Sequence, residues 1–213
     1  MPRARNAIRR RLPKQERSRR LVEAIVEAAQ IVLAESGPDA LTTVNVAQRA
    51  GVSVGSLYQY FAGRDALLFA VYEQELAHFR GAWRAWRAAE ESRTTEQRIR
   101  EGLALTLAHY RRLAALDPSF FLAHRAEIAR AVAPRARAAG RERLGTRDDL
   151  LRGRAVLKHA RIERADVASF VLTRGVPGLL DAALAHDPAI LSAPAFEQEL
   201  YELVAGYLLR ERV

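Results

Sequence analysis

Between residues 42 and 63 a helical stretch must turn sharply back on itself, and that corner limits the possible folds more than any other feature. Val46, Ala47 and Ala50 fall at i, i+1 and i+4, which is one face of a helix. Thr42 stands one turn ahead, where a hydroxyl can accept from an unpaired first-turn amide. Gly51 follows directly, and a helix that reverses within about three residues ends in a left-handed residue that glycine adopts without a Cβ penalty. Val52 then faces inward, and Ser53 can cap a second helix expected over Val54 to Tyr60. Leu57 and Phe61 point back to Val46, Ala50 and Val52. The pattern is a helix-turn-helix, a unit whose second helix fits the DNA major groove.

The residues left facing outward suit that groove. Gly55 and Ser56 let a backbone come close, and the hydroxyls of Ser56, Tyr58 and Tyr60 can donate to phosphate oxygens. Gln59 can pair bidentately with an adenine edge, and Val54 can touch a thymine methyl. Charge supports the same partner. Residues 1–20 hold nine basic residues against Glu16, so +8 of the net +9 sits beside the helix-turn-helix, an electrostatic footprint for phosphate. Such an arm can track the backbone or enter the minor groove, ordering only on DNA. Pro2, Pro13 and the lack of an apolar face argue against a membrane anchor there.

The run Ala50-Gly51-Val52-Ser53-Val54-Gly55-Ser56-Leu57-Tyr58-Gln59-Tyr60-Phe61, followed by Arg64-Asp65-Ala66-Leu67-Leu68, resembles the DNA-binding domain of tetracycline-repressor (TetR) family regulators. The resemblance runs from about Arg19 to Leu68, roughly a quarter of the chain. It implies an all-α fold, with an N-terminal three-helix helix-turn-helix DNA-binding domain and a C-terminal helical ligand-binding and dimerisation domain. The corresponding division is a basic arm over 1–16, the DNA-binding domain over 17–63 and the larger domain over 64–213. By resemblance, Thr42 and Thr43 contact phosphate, Tyr58 touches the backbone, and Ser53, Val54, Gly55, Ser56, Gln59 and Tyr60 fall on the groove side. Arg64 stands where the family usually has lysine and keeps the positive charge for DNA; Ala62 stands for a frequent proline, and Val46 for a frequent isoleucine.

A second motif overlaps these residues. Gly51-Val52-Ser53-Val54-Gly55 satisfies G-x-S-x-G, the nucleophile elbow of α/β-hydrolases, and Asp117 and His124 lie downstream. The elbow requires a strand before the serine, whereas Val44 to Ala50 have helical spacing and no strand–helix alternation occurs along the chain. The expectation is therefore a non-enzyme. There are no cysteines, which excludes disulfides, thiol catalysis and cysteine metal sites and fits a reducing cytoplasm. No two histidines have a metal-ligand spacing such as i, i+4, so neither metal nor cofactor is expected. The arm has no apolar core of a secretory signal and no apolar run of about 18 residues occurs, which points to a cytoplasmic, nucleoid-associated protein.

Helical spacing continues to the C-terminus. Helix 1 is expected over about Lys14 to Ser36, with Leu21, Ile25, Ala28 and Val32 on one stripe and Gly37-Pro38-Asp39 as its stop. A long helix should start near Arg64 and reach about Glu90, followed by one over about Thr95 to Leu116 and another to about Val132. Residues 134–153 read as a loop or frayed helix, with a further helix to about His159. The last two helices are expected over about Asp166 to His186 and Ala195 to Arg210, with more apolar residues than one packing stripe needs. An extra apolar face suggests a partner. In the resembling family these helices pair with their copies, which would place Phe170, Arg174, Leu179, Phe196, Leu200, Leu203 and Tyr207 at a homodimer interface. Two heads on a two-fold axis would then read a pseudo-palindromic operator. A pocket for a small-molecule effector would lie among the middle helices, lined by Trp83, Trp86, Tyr110, Phe120, Phe121, His124 and Arg125. The implied protein is a regulator, more simply a repressor, that an effector releases from double-stranded DNA.

Overall fold

The computed structural model describes residues 16–88, 93–138 and 165–209. The described residues form eight α-helices and two short 3-10 turns, with no strand among them. The helices are α1 (Glu16–Ser36), α2 (Thr43–Arg49), α3 (Val54–Tyr58), α4 (Arg64–Ala88), α5 (Thr95–Ala114), α6 (Pro118–Ala138), α7 (Ala165–His186) and α8 (Pro194–Leu209). The basic arm up to residue 15, and the helix expected to end near His159, lie outside the described residues. The chain divides into two compact units, one of Met1–Leu76 with Ala115–Ala129, the other of Ala77–Ala114 with Arg130–Val213. The division falls inside α4 and again inside α6.

The first unit is built on the apolar stripe of α1. Val22, Ile25, Val26, Ala29, Val32 and Leu33 are buried there. The helix stops where the sequence says it must. Gly37 takes φ 77°, its N–H donates to the Leu33 carbonyl at 3.0 Å, and Pro38–Ala40 follow as a 3-10 turn. Leu41, Val46, Ala47, Leu57 and Phe61 close over this stripe, and full burial of each of the larger ones, Ala47 aside, contributes roughly 1.5–3 kcal/mol. The first turns of α4 behave differently from an amphipathic surface helix. Every residue from 66 to 73 is buried, so this stretch is enclosed on all sides of the first unit's core. Phe120 and Ile128 of α6 belong to the same core.

In the second unit α5 packs against both α7 and α8. Its start is fixed by a reciprocal cap: the Gln97 N–H donates to Thr94 Oγ1 at 3.2 Å while the Thr94 N–H donates to Gln97 Oε1 at 2.9 Å. Ile99, Leu103, Leu107, Tyr110 and Leu113 form its buried face, opposed by Leu180, Leu184, Leu200, Val204 and Leu208. Polar clamps set the register: Arg111 Nε donates to the Leu191 carbonyl at 2.7 Å and Nη2 to Glu197 at 2.9 Å, and Arg100 lies 3.6 Å over the Tyr201 ring.

Three expectations are corrected. Helix α3 ends at Tyr58, not Tyr60, because the N–H groups of Tyr60 and Phe61 both return to the Leu57 carbonyl and turn the chain inward. Helix α6 continues past residue 132 to Ala138 through Pro134, whose missing N–H removes one rung without ending the helix. Leu200, expected at a partner interface, is 2% exposed and belongs to the core beneath α8. The other expected interface residues split by face: Phe170, Arg174, Leu179, Leu203 and Tyr207 are exposed, and Phe196 is half-buried.

Candidate nucleic-acid interface

The corner between α2 and α3 is built almost wholly from backbone geometry. Gly51 has φ 67°, its N–H donates to the Gln48 carbonyl, and the Val52 N–H reaches back to the Ala47 carbonyl at 3.0 Å. Those paired bonds are a Schellman ending, which satisfies the last carbonyls of α2 while reversing the chain. Each helix is then started by a hydroxyl. Thr42 Oγ1 accepts from the Asn45 N–H at 3.1 Å and Ser53 Oγ from the Ser56 N–H at 3.0 Å, so both caps fall where the sequence puts them. Helix α3 has five residues and a single buried side chain, Leu57. It is too short to be stable alone and takes its geometry from the corner and that anchor.

The outward face is polar and crowded with hydroxyls. Thr43 Oγ1 lies 3.2 Å from the Tyr58 hydroxyl, which ties the start of α2 to the end of α3. Ser53 and Ser56 hydroxyls are 2.8 Å apart. Thr42, Ser53, Gly55, Tyr58 and Gln59 are exposed, while Thr43, Val54 and Ser56 are half-buried. At Gly55 an added Cβ would meet nothing closer than Ser53 Oγ at 3.9 Å, so this part of α3 presents open backbone. Tyr60 is the exception. It is 7% exposed, and the early end of α3 carries it into the core rather than onto the groove side.

Arg64 is also placed differently from a simple surface cation. One of its guanidinium nitrogens donates to the Pro38 carbonyl at 3.3 Å and to Asp117 Oδ2 at 2.8 Å. Asp117 is a hub. Its Oδ1 accepts from Ser119 Oγ at 2.7 Å and from the Phe120 N–H at 3.0 Å, which caps α6, and its backbone N–H donates to the Tyr72 hydroxyl at 3.0 Å. The Tyr72 hydroxyl in turn donates to the Asp117 carbonyl. Burial alone would raise the Asp117 carboxyl, but the Ser119 hydroxyl, the Phe120 N–H and the Arg64 guanidinium outweigh it and hold it below the usual carboxylate range. Burial pushes the Tyr72 phenol well above its ordinary value. Sequence reasoning missed this hub, and it missed the fork by which Arg49 at the end of α2 grips Glu35 of α1 at 3.0 and 2.9 Å. It also passed over Asn45, whose side chain donates to the Ala40 carbonyl at 2.8 Å and pins the start of α2. The partners lie 14 and 53 residues away for the two arginines, and no spacing rule reaches that far.

The G-x-S-x-G reading fails on geometry. Helix α2, not a strand, precedes Ser53, and the serine hydroxyl serves as a helix cap. Asp117 is engaged by Arg64 and Ser119, and His124 Nδ1 pairs with Glu127 at 3.1 Å.

The aromatic residues expected to line a pocket fall in two groups, one in each unit. In the first unit Phe120, Phe121 and His124 pack around Phe69 and Tyr72, with Phe120 and His124 rings 4.4 Å apart; Arg125 is exposed. In the second, Trp83 and Trp86 meet edge to face at 4.8 Å over Gly102, and Trp86 Nε1 donates to Glu101 at 2.7 Å. Tyr110 is buried, its hydroxyl given to Asp181 at 2.8 Å and to the Pro177 carbonyl at 3.3 Å.

Comparison with known proteins bears on this interface directly. The family described as "Bacterial regulatory proteins, tetR family" matches residues 25–71, the stretch from α1 through the corner into α4. A stretch of 67 residues is 34% identical to the uncharacterised HTH-type transcriptional regulator YvdT of Bacillus subtilis (strain 168), covering 32% of this chain and 34% of that one. The match thus spans about a third of that relative's length. The whole fold is similar to the fatty acid degradation regulator FadR from Bacillus halodurans, with a TM-score of 0.60, 17% identity, and coverage of 94% of this chain and 100% of that one. It is equally similar to a structure from Mesorhizobium loti MAFF303099 described as a TetR-family transcriptional regulator, with a TM-score of 0.61, 16% identity, and coverage of 92% and 96%. Identities this low speak to the all-α fold alone. The family match, the capped corner and the polar face of α2 and α3 fall on the same residues, so residues 25–71 form a helix-turn-helix unit similar to that of the tetR family of bacterial regulatory proteins.

Proposed function

We propose that the protein is a repressor that binds a pseudo-palindromic operator as a homodimer and is released by a small-molecule effector. The observation that supports DNA binding is the pair of capped helices around Gly51, on whose outward side Thr42, Thr43 and Tyr58 would donate to phosphates and Val54, Ser56 and Gln59 would read bases. Arg64 is a positioning residue in this scheme. Its bonds to Pro38 and Asp117 hold the start of α4 behind the corner. The dimer is supported by apolar residues that the protomer leaves exposed on α7 and α8, among them Phe170 and Leu203 at 57% and 59% exposure. Release requires the effector to bind the DNA-incompetent state more tightly than the competent one. The aromatic groups around Phe120 and Trp83 are the places to look for it. The protein would act in the cytoplasm.

The test is selection of bound duplexes from a random pool by the full chain, followed by competition between the selected duplex and a random one at fixed salt. A sequence-specific dimer selects an inverted repeat and resists the competitor by three or more orders of magnitude. Uniform affinity with a steep salt dependence would instead mean backbone binding alone. Gln59→Ala should weaken the selected duplex by about 1–3 kcal/mol and flatten preference at one base pair per half-site.

A further inference from the structure

We propose that Val44 on α2 reads a thymine methyl group in the major groove, adding a base contact outside the recognition helix. The inference rests on the DNA-binding reading above and deepens it.

Among the described residues of the first unit, two large apolar side chains are exposed: Val44 at 57% and Tyr58 at 41%. Both adjoin Thr43. Val44 directly follows Thr43, whose hydroxyl lies 3.2 Å from that of Tyr58. Much of α2 is committed to the fold. Val46 and Ala47 are buried, Asn45 holds the Ala40 carbonyl, and Arg49 holds Glu35. Val44 is the one large apolar side chain of α2 outside the core. It stands among Thr42, Thr43 and Gln48, so an apolar protein or lipid surface seated there would strand hydroxyl and amide groups. A duplex satisfies both kinds of neighbour. Its phosphates accept from the hydroxyls, and its major groove presents one small apolar group, the C5 methyl of thymine; the minor groove presents none.

Thymine-to-deoxyuridine replacement removes that methyl and leaves every hydrogen-bonding group in place, so it isolates the contact. The probe is the duplex selected by the full chain, with each thymine replaced singly by deoxyuridine. Affinity is measured for the unaltered protein and for Val44→Ala, Val44→Thr and Val54→Ala, each checked for helicity. At one thymine per half-site the replacement should weaken the unaltered protein about fourfold, the worth of one buried methyl-sized group. Val44→Ala should bind the thymine and deoxyuridine duplexes alike there, while Val54→Ala should keep the difference. Val44→Thr retains the volume and one methyl, and should keep most of the difference even if the alanine variant were poorly folded. Three results overturn the inference: no methyl-sensitive position, a methyl effect that survives in Val44→Ala, or one lost in Val54→Ala only. Failure to select any duplex would instead sink the DNA-binding reading itself.

Discussion

At the scale of single residues, two positions hold the head of the molecule in shape by different physics. Gly51 sits at φ 67° with open space where a Cβ would go, so alanine there meets no clash and costs only its left-handed conformation. Gly51→Ala should lower stability by about 1–2 kcal/mol, and Gly51→Asn by less, since asparagine tolerates that region. Urea unfolding followed by circular dichroism checks both. Asp117 is electrostatic instead. Its folded-state carboxyl titrates below the ordinary value of about 3.9. The stability it contributes is therefore fully present above that value and is lost as pH falls through the depressed one. Asp117→Ala should cost about 1–2 kcal/mol at neutral pH through loss of the α6 cap. Asp117→Asn should cost less, because asparagine also caps, and should flatten the acid limb of the stability curve below about pH 4. Thermal melts across pH 3–7 separate the two variants.

At the scale of elements, α3 shows what a five-residue helix depends on. Leu57 is fully buried and is its only buried side chain. Leu57→Ala should cost about 2–5 kcal/mol, with hydrogen exchange at α3 amides rising before the rest of the first unit. The same element shows how far sequence reading reaches. The corner was legible because its signals are local: Thr42 and Ser53 cap within three residues, and Gly51 acts on its own φ. The stop of α1 at Gly37 was legible for the same reason. The length of α3 was not, because it ends where Tyr60 and Phe61 turn into the core, and burial of that kind depends on the tertiary fold rather than on local spacing. Nor was the burial of residues 66–73 on every side, since periodicity reports one face and this stretch has no exposed one. Arg64 looked like a free cation because the sequence shows its charge and not its partner 53 residues on.

At the scale of the whole molecule, the question is what covers the apolar residues left outward on α7 and α8. Val167, Phe170, Val171 and Leu179 on one helix, and Leu203 and Tyr207 on the other, are exposed in the single chain. A charged residue at the middle of a self-complementary interface faces its own copy, so Phe170→Glu and Leu203→Glu should both convert dimer to monomer in analytical ultracentrifugation. Since neither residue is buried in the protomer, helicity should survive, and operator affinity should fall by at least the avidity of the second head, about 10²-fold. A protein that is monomeric before substitution would refute the homodimer.

The single anchor of α3 has a consequence over evolutionary time. Because Leu57 alone ties that helix to the core, the side chains at 54, 55, 56 and 59 can be exchanged with little cost in folding. Substitutions at those four positions can therefore accumulate in a lineage while the scaffold beneath them stays folded.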